Sequence, residues 1–165
     1  MNHNYRLENG KVRLLPMSKS DSELYRIERN CNENRQFFFQ TTIITDSMQS
    51  KWYLSYLQNE KDYMFSIYTD GIFVGGCSLY NVDEHNKTAE FGRIVIGSCY
   101  KRRGYAFDAV IGTLNIARDK MHLEMIYLEV KRNNIPALKL YEKVGFIISE
   151  ESAEELILCK DLRSH

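Results

Sequence analysis

The run Ile94-Val95-Ile96-Gly97-Ser98-Cys99-Tyr100-Lys101-Arg102-Arg103-Gly104-Tyr105-Ala106 constrains the fold of this chain more than any other stretch. An apolar strand stops at a glycine, crosses a basic triplet and restarts at Gly104 as an amphipathic helix. That helix runs to about Lys120, with Ala106, Val110, Leu114, Ala117 and Met121 on one face. Met125 to Val130 then reads as another strand. Strand, helix, strand across residues 88 to 130 requires a parallel crossover, which is almost always right-handed. Ligands in such sheets bind at the carboxyl ends of the parallel strands, and the basic turn lies at one of them.

The chemistry of that turn follows from backbone groups. N–H groups at a helix start lack intrahelical partners and carry the positive end of the macrodipole, so a diphosphate can dock there. Gly104 has no Cβ to hold a ligand away from the backbone. The expected donors are the amides of Arg102, Arg103, Gly104, Tyr105 and Ala106, with charge from the Lys101 and Arg103 side chains. Plain solvent exposure is the alternative for those basic side chains.

The remaining elements read from local signals. Val12 to Leu15 is a first strand stopped by Pro16, and Asp21 to Asn30 a helix capped by Ser20 or Asp21. Asp46 or Ser47 caps a helix carrying Met48, Trp52, Leu54 and Tyr56, ending near Asn59. Tyr63 to Thr69 and Ile72 to Tyr80 flank Asp70-Gly71, a strong hairpin signal. Asp83 to Lys87 makes a turn before the strand Thr88 to Ile96. Asn133 or Asn134 caps a short helix with Pro136 in its first turn and Gly145 at its end, and Glu154 to Lys160 is a last strand. The sheet is therefore mixed, with helices on its faces.

A second motif lies in Asn134-Ile135-Pro136-Ala137-Leu138-Lys139-Leu140-Tyr141-Glu142-Lys143-Val144-Gly145-Phe146. Together with the basic turn it resembles the GNAT superfamily of acetyl-CoA-dependent N-acetyltransferases. The turn is similar to that family's Q/R-x-x-G-x-G/A pyrophosphate loop, and the later segment to its N-x-x-A-x-x-L-Y-E-K-x-G-F stretch. The likeness is clear from about Thr88 to Phe146 and looser back to Val12. Two departures stand out: Lys101 replaces Gln or Arg, and Arg102 stands where Gly is common. The order of elements in the first half is closest to the branch acting on ribosomal-protein amino termini, polyamines and nucleotide-linked amino sugars.

The resemblance implies a mostly antiparallel sheet whose one parallel strand pair splays apart to admit the pantetheine arm. It implies that main-chain groups of Ile94 and Ile96 pair with pantetheine amides, while their side chains serve the core. It gives Tyr141 the role of protonating the departing CoA thiolate, and Asn134 a cofactor contact beside its capping role. A phenol near pKa ~10 is a weaker acid than a thiol near ~8.5, so full transfer is uphill by about 2 kcal/mol, and hydrogen bonding is its main contribution.

The acceptor amine must lose a proton before it can attack, and a carboxylate usually takes it. Glu90, on the strand leading to the turn and in a segment similar to Ala-Glu-Phe stretches of related acetyltransferases, is the chosen base; Glu129 is the runner-up. Cys99 has no partnered histidine in view, so a covalent route is set aside. Phe37-Phe38-Phe39 and Trp52 are read as core or pocket wall.

Bulk properties narrow the class. The 165 residues suit one N-acetyltransferase domain, 1–165, and 22 basic against 22 acidic residues call for no nucleic acid. No apolar run approaches the ~20 residues of a membrane span, and residues 1–6 lack a signal-peptide core, so a cytoplasmic protein is expected. Cys31, Cys77, Cys99 and Cys159 lack C-x-x-C spacing, and His3, His85, His122 and His165 form no ligand cluster, so no metal is expected. The expectation is acetyl transfer from acetyl-CoA to a small-molecule primary amine, with an amino sugar favoured. The alternatives are a protein amino terminus, a polyamine, or a non-catalytic acyl-CoA sensor. A homodimer stays open, and an ATP enzyme is disfavoured because the turn lacks G-K-[ST].

Overall fold

The computed structural model describes residues 2–163, which leaves His165 of the histidine set outside the described residues. In chain order the elements are β1 (Leu7–Asn9), β2 (Val12–Pro16), α1 (Lys19–Asn30), α2 (Asn32–Arg35), α3 (Asp46–Leu57), β3 (Tyr63–Thr69), β4 (Ile72–Asp83), β5 (Thr88–Ile96), α4 (Tyr105–Asp119), β6 (Met125–Lys131), α5 (Ile135–Val144), β7 (Ile147–Glu151) and β8 (Glu155–Asp161). They build one eight-stranded sheet in the order β1-β2-β3-β4-β5-β6-β8-β7. Among the described residues only the β5–β6 pair is parallel. Among the described residues no helix is long and apolar enough to cross a membrane.

The helix starts follow capping chemistry, with two corrections to the sequence reading. The α1 cap is Ser18, whose hydroxyl accepts from Asp21 N at 3.1 Å, and neither Ser20 nor Asp21. Asp21 is instead buried, taking hydrogen bonds from Ser66 Oγ at 2.8 Å and Tyr68 Oη at 2.7 Å. Thr45, and neither Asp46 nor Ser47, caps α3 through Met48 N at 3.2 Å. Gly104 at the α4 start has φ 84°, and Gly145 at the α5 end has φ 106°, both in the left-handed region that glycine enters without strain.

Two cores lie on opposite faces of the sheet. One gathers Ala109, Val110, Leu114 and Ile116 of α4, Tyr141 of α5, and Phe91, Ile126, Leu128 and Leu158 of the strands. The other gathers Met17, Tyr25, Tyr53, Tyr56, Met64 and Val95 beneath α1 and α3. Phe91 and Val95 share parity along β5 yet serve different cores. A β-bulge explains this. Ser78 pairs with Gly92 but Gly76 with Val95, so β5 carries one extra residue, and Arg93 inside it has φ 55°.

The first hairpin clamps the start of α4. Asn9 Nδ2 donates to Asp108 O at 2.9 Å, Lys11 N to Asp108 Oδ2 at 2.9 Å, and Lys11 Nζ to Arg103 O at 3.0 Å. Gly10, with φ 56°, sits so tightly on this contact that an added Cβ would lie 2.5 Å from Asp108 Oδ2.

Burial also sets an acid limit on stability. His3 is buried, its Nε2 on Met64 O at 2.8 Å and its Nδ1 accepting from Tyr5 N at 3.1 Å, so both ring nitrogens are used in the neutral form. Desolvation, opposed by the Met64 bond, lowers its pKa from 6.5 to about 4. Between those values the unfolded chain binds the proton that the folded chain refuses, so stability is full above pH 6.5 and falls toward pH 4. The shift corresponds to about 3 kcal/mol. Urea midpoints measured from pH 7 to 4 should fall for the parent and fall less for His3→Gln.

Candidate active site

The parallel pair parts after three residues. Thr88 to Glu90 pair with Met125 to Tyr127, and the β5–β6 register stops there. Beyond it β5 stays with β4 as far as Ile96, while β6 follows β8 as far as Lys131. The edge of β5 that faced β6 is therefore left without a strand. A cavity of about 640 Å³ fills the opening and runs up to the start of α4.

Most of the expected cofactor residues meet at this cavity. Ile94, Ile96, Lys101, Arg102, Gly104, Tyr105, Ala106 and Asn134 all line it. The amides of Arg102 to Ala106 donate to no protein acceptor among the described residues, and no side chain caps α4. A row of unpaired donors at a helix start fits a diphosphate. Arg102, at φ 65°, adopts the conformation that explains why glycine is common at its position. Lys101 Nζ reaches Glu33 Oε2 only at 3.9 Å, a loose exposed pair that an incoming phosphate can replace.

Arg103 differs from expectation in part. Its side chain is not on the cavity wall; the guanidinium lies 5.9 Å from the Tyr100 ring centroid. Its carbonyl receives Lys11 Nζ, a cation from residue 11 that sequence inspection had no reason to place here. Asn134 combines two tasks: Oδ1 accepts from Ala137 N at 3.3 Å, which leaves Nδ2 for a ligand.

Tyr141 reaches the same cavity from the α5 side. Its ring stands edge-on to Phe91 at 6.2 Å and Phe146 at 5.7 Å between centroids. Burial is the main cause of a raised phenol pKa, and the neighbouring Cys77 and Tyr80 add to it. Its hydroxyl bonds to no described residue and faces the cavity, so it is free to serve a ligand. A thiol in the same desolvated space would also hold its proton more tightly, which narrows the gap between donor and acceptor.

Another part of the cavity wall is acidic and aromatic. Glu129 lines the cavity, and desolvation together with the charges of Glu90 and Glu155 raises its pKa. Glu90 itself is off the cavity wall, with Oε1 accepting from Asn81 Nδ2 at 3.1 Å toward solvent. Phe37, Phe38 and Phe39 line the opening, with Arg29 stacked 4.2 Å from the Phe38 centroid. Tyr80 and Arg93 complete the wall; neither was singled out from sequence, since one tyrosine and one arginine in strands carry no motif. Trp52 stacks on Tyr56 at 5.2 Å in the second core instead. Cys99 is exposed in the short turn Ser98–Tyr100 and is off the wall. Among the described residues no group of three or more His, Cys, Asp or Glu is placed to hold a metal ion.

This geometry can be set beside known proteins. Residues 11–147 match the family model described as an acetyltransferase (GNAT) domain. The chain is 24% identical over 148 residues to the spermidine N(1)-acetyltransferase of Escherichia coli K12, covering 89% of this chain and 78% of that enzyme. The crystal structure of spermidine N-acetyltransferase from Vibrio cholerae in complex with CoA and spermine superposes with a TM-score of 0.86 at 18% identity, over 94% of this chain and 98% of that one. An apo nucleotide-linked sugar GNAT, FdhC, superposes with a TM-score of 0.82 at 19% identity, over 96% and 91% of the two chains.

Proposed function

This chain belongs to the GNAT acetyltransferase family, and from that premise we propose that it moves acetyl from acetyl-CoA to a primary amine of a small molecule by direct attack with both substrates bound. The observation that supports this most is the coincidence of two unsatisfied edges: the free amides before α4 and the strandless flank of β5. Together they offer donors for a diphosphate and an extended backbone for the pantetheine arm. Amides on that flank are also the groups to polarise the thioester oxygen as negative charge gathers on it.

The chain's own groups divide the work. Tyr141 donates its hydroxyl hydrogen to the departing sulfur. Glu90 is the final acceptor of the amine's proton. Glu129 holds the ammonium, since a carboxylate attracts a desolvated cation, and the Phe37 to Phe39 wall borders the opening beside it.

That pairing favours an alkyl polyamine over the amino sugar expected from sequence. The carboxylates Glu90, Glu129 and Glu155 lie near enough to interact, a concentration of negative charge that suits a substrate carrying more than one ammonium. An acetyl-CoA turnover panel of spermidine, putrescine, a nucleotide-linked amino sugar and a peptide amino terminus tests the reading. Turnover should be highest with spermidine and should fall with added salt. Preference for the amino sugar overturns the polyamine reading, and tight acetyl-CoA binding without turnover overturns the enzyme reading in favour of a sensor.

A further inference from the structure

We propose that Tyr80 is a catalytic residue of the transfer: its hydroxyl takes a proton from the bound ammonium while passing its own to Glu90. This rests on the amine-acetylation reading and supplies the step that reading lacks, a path from the cavity to a carboxylate outside it.

Three observations carry it. Tyr80 and Glu90 are register partners on β4 and β5, so their side chains rise side by side from one face of the sheet. Tyr80 lines the cavity and Glu90 does not. The tyrosine is also fixed in place. Arg93 stacks 4.3 Å from its ring centroid and is itself held by Asp62 at 2.8 Å. Gly92 lies beneath the hydroxyl so closely that an added Cβ would fall 2.9 Å from it. A ring held on both sides by the bulge of β5 delivers its hydroxyl to one spot.

The charges around Tyr80 agree with a relay. Burial, then the charge of Glu90, pushes its pKa up to about 12, with Arg93 opposing and Glu129 adding a smaller effect. A phenol so protonated does not ionise as a stored base; it gains one proton as it loses another. The transfer balances. One N–H bond of the ammonium breaks as an O–H bond forms on Tyr80, whose original proton moves to Glu90. The freed lone pair then attacks the thioester carbonyl carbon, and the carbon–sulfur bond breaks as Tyr141 donates to sulfur. The proton left on the new amide nitrogen's precursor returns to Tyr141, and Glu90 releases its proton to water on the Asn81 side.

Tyr80→Phe, Glu90→Gln and their double variant, assayed with the best amine of the panel, decide the matter. At pH 7 each single variant should lose at least about tenfold in kcat, and the double should lose no more than either single. The deficit of Tyr80→Phe should close as pH rises toward ~10, where the amine arrives neutral. Calorimetric affinity for CoA should stay within about twofold. Gly92→Ala, which pushes the hydroxyl aside, should reproduce the loss if Tyr80→Phe folds poorly. A Tyr80→Phe enzyme within twofold of the parent, multiplicative losses in the double variant, or a deficit unchanged with pH overturns the relay. A parent that acetylates no amine overturns the functional reading and the relay together, whereas equal turnover by parent and Tyr80→Phe sinks only the relay.

Discussion

Replacing Gly75 by alanine should cost this protein both stability and coenzyme affinity. A Cβ on Gly75 would stand 2.0 Å from the carbonyl oxygen of Val95 and 3.1 Å from Ile96 Cα. Both atoms are backbone, so no rotamer change relieves the overlap. Gly75 pairs with Ile96 at the end of β5, and Gly97 N donates to Val74 O at 2.8 Å just beyond. The strand can yield only by moving away from β4, toward the cavity it borders. Overpacking of this kind typically costs 1–3 kcal/mol, and a backbone clash belongs at the upper end. For a chain of this size that is a fall in Tm of roughly 6–12 °C. Displacing Ile94 and Ile96 should also weaken CoA binding at least about tenfold by calorimetry. A Gly75→Ala protein with an unchanged melting point and affinity would show that β5 is not held where the structure places it.

Tyr141→Phe should separate catalysis from folding. The hydroxyl meets no partner among the described residues, and the ring sits between Phe91 and Phe146, where a phenylalanine has the same shape. The hydroxyl opens onto the cavity and removing it leaves no protein group unpaired, so Tm should hold within a few degrees. With no donor for the departing sulfur, kcat should drop about a hundredfold, within the usual contribution of general acid catalysis. The KM for acetyl-CoA should stay within about threefold, because the amides before α4 are untouched. Measuring kcat, KM and Tm on the same preparation checks all three. A kcat within threefold of the parent would remove Tyr141 from the mechanism, and a large fall in Tm would make it a packing residue.

What sequence could and could not show follows from how local each signal is. The α4 and α5 starts, the Asp70-Gly71 hairpin and the Gly145 stop were legible because each is decided within a few residues. The α1 cap slipped by two or three residues and the α3 cap by one or two, because several side chains able to cap lie in a row, and only tertiary contacts choose among them. Asp21, a good cap by type, is claimed by Ser66 and Tyr68. Three-residue β1 was missed although Asn9-Gly10 marks its turn, since Leu7–Asn9 is too short to show alternation. β7 was missed because all five of its residues are exposed, Ile147 and Ile148 included, so no buried face is written into it.

The site divides along the same line. The basic turn was readable as a motif, whereas the parting of β5 from β6 entered only through resemblance, because hydrophobic period fixes faces and not where a ladder stops. Arg93's bulge lies beyond pattern reasoning for the same reason. Glu90 and Glu129 could be named as carboxylates on neighbouring strands, but which of them meets the cavity depends on side-chain reach. Tyr80 had no signal at all until its register with Glu90 was known.

Because Asn9 and Lys11 grip Asp108 and Arg103, whatever steadies the turn before α4 must equally steady residues roughly a hundred positions earlier. Loading with coenzyme should thus quieten the first hairpin, and fraying of that hairpin should loosen the coenzyme. Variation near the beginning of the chain can in this way retune donor occupancy without touching a single ligand-contacting side chain.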